Sequence, residues 1–269
     1  MNIPKTIMQT YSSKENLTPE MHNNIASWKK INPDWNYEIF YDEDCKYFLK
    51  ENFNTNVLEA FNKINSGAGK ADLFRYCYLY IKGGVYVDMD NIPLVPLNSL
   101  IQETDEFLSV LSLLYRGIYS QYNGKSFAIH QSFIISKPKH KFLDMAIKLC
   151  TYNIINRVRF GGHEHPAQQT HQLIRITGPK LLADAINMVL GKKINSTFNI
   201  HDIHFPFRFI KGNGDVIKND KGEIQKGQFT SSIKDKNGRT IMNCKYNGYN
   251  PGDYWAHVNL YNQIKKPKL

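Results

Sequence analysis

The chain of 269 residues is 42% hydrophobic and 13% aromatic, a composition that excludes an intrinsically disordered protein and suits one α/β domain with a sizeable core. Its formal net charge of +10 is compatible with nucleic acid, an anionic membrane surface or a phosphorylated compound as partner. The basic residues are scattered along the chain, apart from a tail at residues 265–269. This distribution favours an ordinary lysine-rich surface.

The spacing of the cysteines and the lengths of the apolar segments indicate the cellular compartment of the protein. Cys45, Cys77, Cys150 and Cys244 are far apart and form no Cys-x-x-Cys motif, which is typical of reduced thiols. The first residues lack the apolar region of a signal peptide, and no stretch approaches the ~18–20 apolar residues that cross a bilayer. We therefore expect a cytoplasmic protein, unless an anchor lies outside this sequence, with peripheral contact to an anionic membrane left open.

The first 60 residues predict alternating strands and helices. Residues 3–11 are expected to form the first strand and its exit, and residues 35–41 alternate as a second strand. Apolar spacing predicts a helix over residues 19–30. The acidic residues 42–44 are interpreted as the start of the next helix and not as a metal cluster, and residues 51–60 are expected to continue helical. Both tryptophans of this region are expected in the core.

The centre of the chain combines a helix with two charged side chains. Residues 63–70 are expected to form a flexible loop, and the spacing that follows predicts a helix over Lys70–Lys82, ended by Gly83–Gly84. Asp72 and Arg75 are three residues apart and therefore share one helix face. Such a carboxylate can accept a hydrogen bond from a sugar hydroxyl. A guanidinium suits a phosphate or holds a carboxylate in place.

Two aspartates follow the next predicted strand. Val85–Val87 is β-branched and aromatic, which is typical of a buried strand. Because side chains alternate along a strand, Tyr86 and Asp88 are expected on one face, Asp90 continues the alternation, and Pro93 is expected to close the strand. Two charges at the end of a buried strand are costly unless a cation meets them. Carboxylates suit manganese or magnesium, so the pattern predicts a divalent metal site.

The second half of the chain predicts more strands and helices. The polar segment at residues 210–242 contains turn signals typical of two hairpins, which are expected to form a small peripheral β element. The other predicted elements are strands over Phe107–Leu114 and Phe127–Ser136 and helices over Phe142–Ile155 and Pro179–Leu190.

Three histidines, His163, His165 and His171, lie in a segment with a Gly-Gly pair and a proline. A His-x-His pair with a third histidine nearby is compatible with a zinc site. No predicted helix or strand frames the histidines, so a lid or an acceptor-binding loop is the favoured interpretation.

The stretch ADLFRYCYLYIKGGVYVDMD, at residues 71–90, resembles the signature of the Asp-x-Asp sugar transferases of glycosyltransferase family 32. That family includes mannosyltransferases, capsular polysaccharide enzymes and lactosylceramide galactosyltransferases, and its core is shared with the clostridial glucosylating toxins. The resemblance implies one GT-A type domain over residues 1–269, with a mixed sheet flanked by helices. It also implies a divalent metal, Mn²⁺ or Mg²⁺, and retention of anomeric configuration.

The resemblance implies a role for each residue of the central motif. Asp72 and Arg75 would contact the donor sugar and its phosphates. Tyr86 would line the nucleotide pocket. Asp88 would bind ribose or sugar hydroxyls and assist at the metal, and Asp90 would bind the metal directly.

Residues outside the motif also acquire implied roles. Gln9, Thr10 and Tyr11, at the end of the first strand, would contact the base. Gln131 stands where the family usually has Asn, and its amide retains both hydrogen-bonding functions toward the sugar. His257 would provide the last contact to the metal or the diphosphate.

The favoured function is transfer of a hexose from a UDP- or GDP-sugar to a hydroxyl of a carbohydrate, lipid-linked or protein acceptor. One alternative is a two-metal nucleotidyltransferase or phosphatase, which would need further acidic ligands. Another is a basic nucleic-acid-binding domain, which is disfavoured because no recognised module is present and aspartates stand at the centre of the chain. We therefore expect no nucleic acid as partner.

Overall fold

The computed structural model describes residues 2–112, 125–126, 128–160, 172–199, 207–215, 228–234 and 239–247. These residues form a mixed β-sheet flanked by helices. The labelled helices are α1 Pro19–Ile31, α2 Asp42–Asn52, α3 Thr55–Lys63, α4 Gly67–Lys82, α5 Lys141–Ile155 and α6 Pro179–Val189, and residues 172–176 are also helical. The strands are β1 Thr6–Thr10, β2 Asn36–Phe40, β3 Gly84–Val87, β4 Asn91–Pro93, β5 Phe107–Ser112, β6 Lys125–Ser126, β7 Ile129–Ser136, β8 Phe198–Asn199, β9 Phe207–Asp215, β10 Gln228–Lys234 and β11 Thr240–Asn247.

Nine of these strands form one sheet in the order β2-β1-β3-β7-β5-β9-β10-β11-β4, while β6 and β8 pair separately. Strand β1 runs parallel to β2 and β3, and β7 pairs antiparallel with both β3 and β5. The carboxyl ends of β1 and β3 therefore lie side by side at one end of the strands, next to the beginning of β7. Ligands of open α/β sheets bind at the carboxyl ends of the strands.

The alternation of side chains along the strands divides the core between the two faces of the sheet. Met8 and Tyr86 pack with helices α2 to α6 on one face. Ile7, Val85 and Val87 pack on the other face, together with both tryptophans of the first 60 residues. The predicted alternation within β3 and the predicted burial of the tryptophans are therefore confirmed.

Helix α4 begins earlier than predicted. The Ser66 hydroxyl accepts a hydrogen bond from the Gly69 amide at 3.3 Å, so the predicted loop over residues 63–70 already contains the first helical turn. At the other end Gly83 adopts φ +69° and ψ −163°, a backbone conformation that glycine tolerates and that is strained for other residues.

The helical region before α4 is interrupted. Residues 51–60 do not form one continuous helix, because α2 ends at Asn52 and α3 begins at Thr55. The Asn54 side chain accepts a hydrogen bond from the Val57 amide at 3.4 Å and caps α3. An asparagine competes with the helical backbone in this way, and this local contact overrides the apolar spacing.

The turn at residues 88–90 connects the third strand of the sheet to the last. Strand β4 follows at once and pairs with β11, with Asn91 opposite Cys244 and Pro93 opposite Met242. Pro93 thus ends a separate edge strand, a position in which proline is tolerated. Four residues span at most about 14 Å, so the far end of the sheet must curve back toward β3.

The hairpins predicted at residues 210–242 are present as the antiparallel ladders β9–β10 and β10–β11. They differ from the expected peripheral element in their attachment, because β9 pairs in parallel with β5 and so extends the main sheet. Within the described ranges, the helices are all too short or too polar to cross a membrane.

Gly84 provides a test of the junction between α4 and β3. Its φ is +99°, and a Cβ there would lie 2.6 Å from the Thr6 carbonyl oxygen. We expect Gly84→Ala to lower the free energy of unfolding by more than about 3 kcal/mol, because backbone strain and overpacking add. Gly191 is the control, since its φ is +68° but a Cβ there would meet nothing within 4 Å.

Gly191→Ala should cost only about 1 kcal/mol. Urea unfolding of both variants measures the difference. Equal losses in the two variants would contradict the close approach of β1 to Gly84.

Candidate active site at the carboxyl end of the third strand

Asp88 leaves the end of β3 beside the neighbouring strand β7. Its amide donates to the Ser132 carbonyl at 2.9 Å, which continues the ladder by one residue. Its Oδ1 accepts a hydrogen bond from the Tyr86 hydroxyl at 2.5 Å and lies 3.4 Å from Arg75 Nη1. The side chain is 33% exposed. The Asp88 carboxylate is therefore fixed by Tyr86 and Arg75, while part of the side chain remains accessible to solvent.

Arg75 lies at the centre of the site and is 4% exposed. Its Nη2 lies 3.1 Å from Asp72 Oδ1, and its Nη1 donates to the Gln131 carbonyl at 2.8 Å. The guanidinium stacks on the Tyr86 ring, 4.2 Å from the centroid. Burial by itself lowers the pKa of Arg75, but Tyr86, Asp88 and Asp72 raise it above its ordinary value. Arg75 is thus a permanent cation that holds carboxylates.

Asp72 is joined to the second half of the chain. It is 5% exposed, and its Oδ2 accepts a hydrogen bond from the Thr177 hydroxyl at 2.8 Å. The Thr177 carbonyl accepts from the Tyr76 hydroxyl at 2.8 Å. Burial raises the pKa of Asp72 to about 6, against the opposing effect of Arg75. The expected placement of Asp72 and Arg75 on one helix face is confirmed by their ion pair.

Asp90 differs from the other carboxylates of the site. Its Oδ1 is buried, and no group in the described part of the chain donates a hydrogen bond to it. Burial, and then the charge of Asp88, raise the pKa of Asp90 to about 7. A buried carboxylate oxygen without a donor is unfavourable unless a cation or a solvent molecule meets it.

The residues predicted at the end of β1 lie close to the motif. Gln9 is fully buried; its Nε2 donates to the Asp88 carbonyl at 3.0 Å, and its Oε1 accepts from the Tyr37 hydroxyl. The Thr10 hydroxyl donates to the Phe40 carbonyl at 2.9 Å. Tyr11 is half-buried at the exit of the strand. Contact of these three residues with a base stays a prediction.

Two further predicted residues have different outcomes. Gln131 is 4% exposed, and its Nε2 donates to the Thr177 carbonyl at 3.4 Å, so it lies beside Arg75 and Asp72. Its contact with a sugar stays a prediction. His257 lies outside the residues that the structure describes, as do His163, His165 and His171.

Sequence reasoning missed several side chains that fix the motif. Asn24 Nδ2 donates to the Met89 carbonyl at 2.7 Å, and Trp28 Nε1 donates to the Asn91 carbonyl at 2.8 Å. The available signal was their spacing, because residues four apart share a face of α1. Which backbone they would reach is a long-range property that spacing does not contain.

The fit of a divalent cation depends on Asp88 and Asp90. Within the described ranges, no group of three or more His, Cys, Asp or Glu side chains could hold a metal. Mg²⁺ is commonly held by one or two carboxylates, with water and substrate phosphates supplying the other ligands. The unpartnered oxygen and raised pKa of Asp90 suit such a site, in which the chain supplies the minority of ligands.

Residues 18–107 match the family described as "Glycosyltransferase sugar-binding region containing DXD motif". The chain is similar to the initiation-specific alpha-1,6-mannosyltransferase of Candida albicans, with 29% identity over 110 residues, which cover 39% of this chain and 29% of the relative. It is similar to the Schizosaccharomyces pombe enzyme of the same name, with 25% identity over 235 residues, which cover 80% of this chain and 55% of the relative. The matched part thus spans about a third to a half of these relatives.

One solved structure bears on the fold. The PaToxG glycosyltransferase has a TM-score of 0.52 to this chain at 16% identity, covering 70% of each chain. At this identity the likeness concerns the fold alone. Together with the central mixed sheet flanked by helices, it confirms the GT-A type α/β fold that the resemblance implied.

The raised pKa of Asp90 predicts a stability effect with a defined pH dependence. The ordinary pKa is 3.8 and the folded value is about 7, so ionisation of Asp90 opposes folding, and its cost is fully present above pH 7. In metal-free protein we expect Asp90→Asn to raise Tm at pH 8, by about 2–4 °C for each kcal/mol removed.

Most of the gain should be lost by pH 4, because Asp90 is then protonated in the folded state and close to its ordinary pKa of 3.8 in the unfolded state. Calorimetry of the two proteins from pH 4 to pH 8, with chelator present, makes this comparison. The account is wrong if the difference in Tm is the same at both ends of the range.

Proposed function

We propose that this chain is a metal-dependent retaining hexosyltransferase. The premise is that it belongs to the glycosyltransferases whose sugar-binding region contains the DXD motif. The donor would be a UDP- or GDP-hexose, and the acceptor a hydroxyl of a glycan, a lipid-linked sugar or a protein. Both relatives described above are named mannosyltransferases, so mannose is the first hexose to test.

One observation carries the proposal. Two carboxylates lie at the end of a buried strand, and they differ in their hydrogen-bond partners. Asp88 receives a hydroxyl and a guanidinium, whereas Asp90 Oδ1 receives no donor from the described residues. The first is thereby oriented, and the second is left available for a cation.

The chemistry needed at the site is stabilisation of a departing diphosphate. A divalent cation, when bound, would neutralise part of the charge that gathers on this leaving group. The chain's own contribution is to orient Asp88 through Arg75 and Tyr86 and to present a half-buried Asp90 whose Oδ1 is buried without a partner among the described residues. Groups fixed in this way need no reorganisation when charge develops.

A nucleophilic role for Asp72 is disfavoured by its surroundings. One oxygen is occupied by Arg75 and the other by the Thr177 hydroxyl, and the side chain is buried. We therefore favour attack by the acceptor on the same face of the sugar that the diphosphate leaves, with a leaving-group oxygen as base. The donor contacts implied for Asp72 and Arg75 stay predictions.

The test is a screen of UDP- and GDP-hexoses, GDP-mannose among them, with Mn²⁺ and with simple sugar acceptors. Release of nucleoside diphosphate and formation of a glycosylated product are followed together. We expect Asp90→Asn to lower turnover by about 10²–10³-fold or more, because it removes one preorganised charge at the leaving group.

Asp34→Asn is the matched control, since Asp34 is exposed and pairs with Lys5 on the surface. It should leave turnover unchanged. Full activity of Asp90→Asn would refute the metal assignment. Cleavage of the donor between its two phosphorus atoms, seen as a nucleoside monophosphate and a hexose 1-phosphate without a glycosylated product, would instead support the two-metal nucleotidyltransferase or phosphatase.

A further inference from the structure

The turn that carries the two aspartates is held through its backbone carbonyls. The Asp88 carbonyl accepts from Gln9 Nε2 at 3.0 Å, the Met89 carbonyl from Asn24 Nδ2 at 2.7 Å, and the Asn91 carbonyl from Trp28 Nε1 at 2.8 Å. Three carbonyls within four consecutive residues thus each receive a side-chain donor. Turn carbonyls on a protein surface normally bond to water, so this degree of fixation is a specific feature of the site.

Two of the three donors come from helix α1. Asn24 and Trp28 are the residues that this helix buries, and they lie one turn apart on the same face. Asparagine is a poor helix former, and its burial is costly without a hydrogen bond. The bond to Met89 satisfies its amide nitrogen, whereas its Oδ1 is buried without a partner among the described residues.

The other side of the turn is fixed through β7. The Ser132 carbonyl accepts from the Asp88 amide at 2.9 Å and from Asn91 Nδ2 at 2.6 Å. The Asn91 amide closes the turn by donating to the Asp88 carbonyl at 3.1 Å. Backbone on both sides of Asp90 is thus anchored, while its carboxylate Oδ1 has no donor among the described residues.

We propose that α1 is a positioning element for the carboxylate pair, in which Asn24 and Trp28 fix the backbone of the turn so that Asp88 and Asp90 present a set geometry to a divalent cation. The inference rests on the proposed function. Groups that orient metal ligands from behind typically change metal affinity by about 10–100-fold when they are removed. Asn24 and Trp28 donate to backbone carbonyls of the turn and would act on the carboxylates through that backbone, so they are positioning residues.

The test compares Asn24→Leu and Trp28→Phe with wild type and with Asn23→Leu. Leucine removes the amide donor at similar volume, and phenylalanine keeps a ring but loses the indole N–H. Asn23 is exposed on the same helix and serves as the matched control. Affinity for Mn²⁺, alone and with GDP or UDP, is measured in the full chain by electron paramagnetic resonance of free Mn²⁺.

We expect both positioning variants to bind Mn²⁺ about 10–100-fold more weakly and Asn23→Leu to match wild type. Turnover of the positioning variants should return toward the wild-type value at saturating Mn²⁺, since affinity and not the reacting groups is altered. A purely structural role would lower turnover by the unfolded fraction at every Mn²⁺ concentration. Urea unfolding with chelator present measures that fraction.

Unchanged Mn²⁺ affinity in Asn24→Leu and Trp28→Phe, with wild type binding Mn²⁺ and transferring sugar, would overturn this inference and leave the proposed function standing. Absence of Mn²⁺ binding and of transfer by wild type would overturn both. If one variant fails to fold, the other decides, because the two substitutions disturb different contacts of the same turn.

Discussion

The buried guanidinium of Arg75 is the interaction on which the rest of the site depends. A charge at 4% exposure is tolerated only when opposite charge and hydrogen-bond acceptors surround it. Asp72, Asp88, the Gln131 carbonyl and the Tyr86 ring supply that surrounding. Removing one partner of such a group costs about 3–5 kcal/mol, because the remaining charges stay buried.

This cation also joins elements that are distant in the sequence. Arg75 belongs to α4, Asp88 follows β3, Gln131 belongs to β7, and Asp72 extends the network to Thr177 before α6. Strand β3 ends and strand β7 begins at this end of the sheet. The site is therefore assembled by the meeting of strand ends, and the charge of Arg75 fixes which side chains face one another there.

The two carboxylates of the motif gain different properties from this arrangement. Asp88 is oriented by Tyr86 and Arg75, whereas burial and the nearby charge of Asp88 raise the pKa of Asp90 to about 7. The difference arises although the two residues are separated by only one position. Their backbone is held from behind by Gln9, Asn24 and Trp28, so the distinction is built into the turn itself.

Local patterns of the sequence predicted much of this. Alternation along β3 predicted that Tyr86 and Asp88 share a face, and their hydrogen bond confirms it. Helical spacing predicted that Asp72 and Arg75 share one helix face, and their ion pair confirms that as well. Such predictions succeed because the period of a strand or a helix fixes neighbours within a few residues.

The features that sequence did not predict are long-range contacts. The pattern of β1 does not show that Gln9 donates to Asp88, 79 residues away. The pairing of β9 with β5, which continues the main sheet, is likewise not a local property. The break between α2 and α3 was missed for a different reason, since the cap made by Asn54 competes with helical spacing.

The most direct measurement of the central claim is anomalous diffraction from crystals grown with Mn²⁺ and GDP or UDP. The account predicts a manganese peak within about 2.0–2.6 Å of an Asp90 oxygen, with Asp88 still in contact with Arg75. A manganese peak away from both aspartates, or an Asp90 carboxylate paired with a protein cation in that crystal, would contradict it.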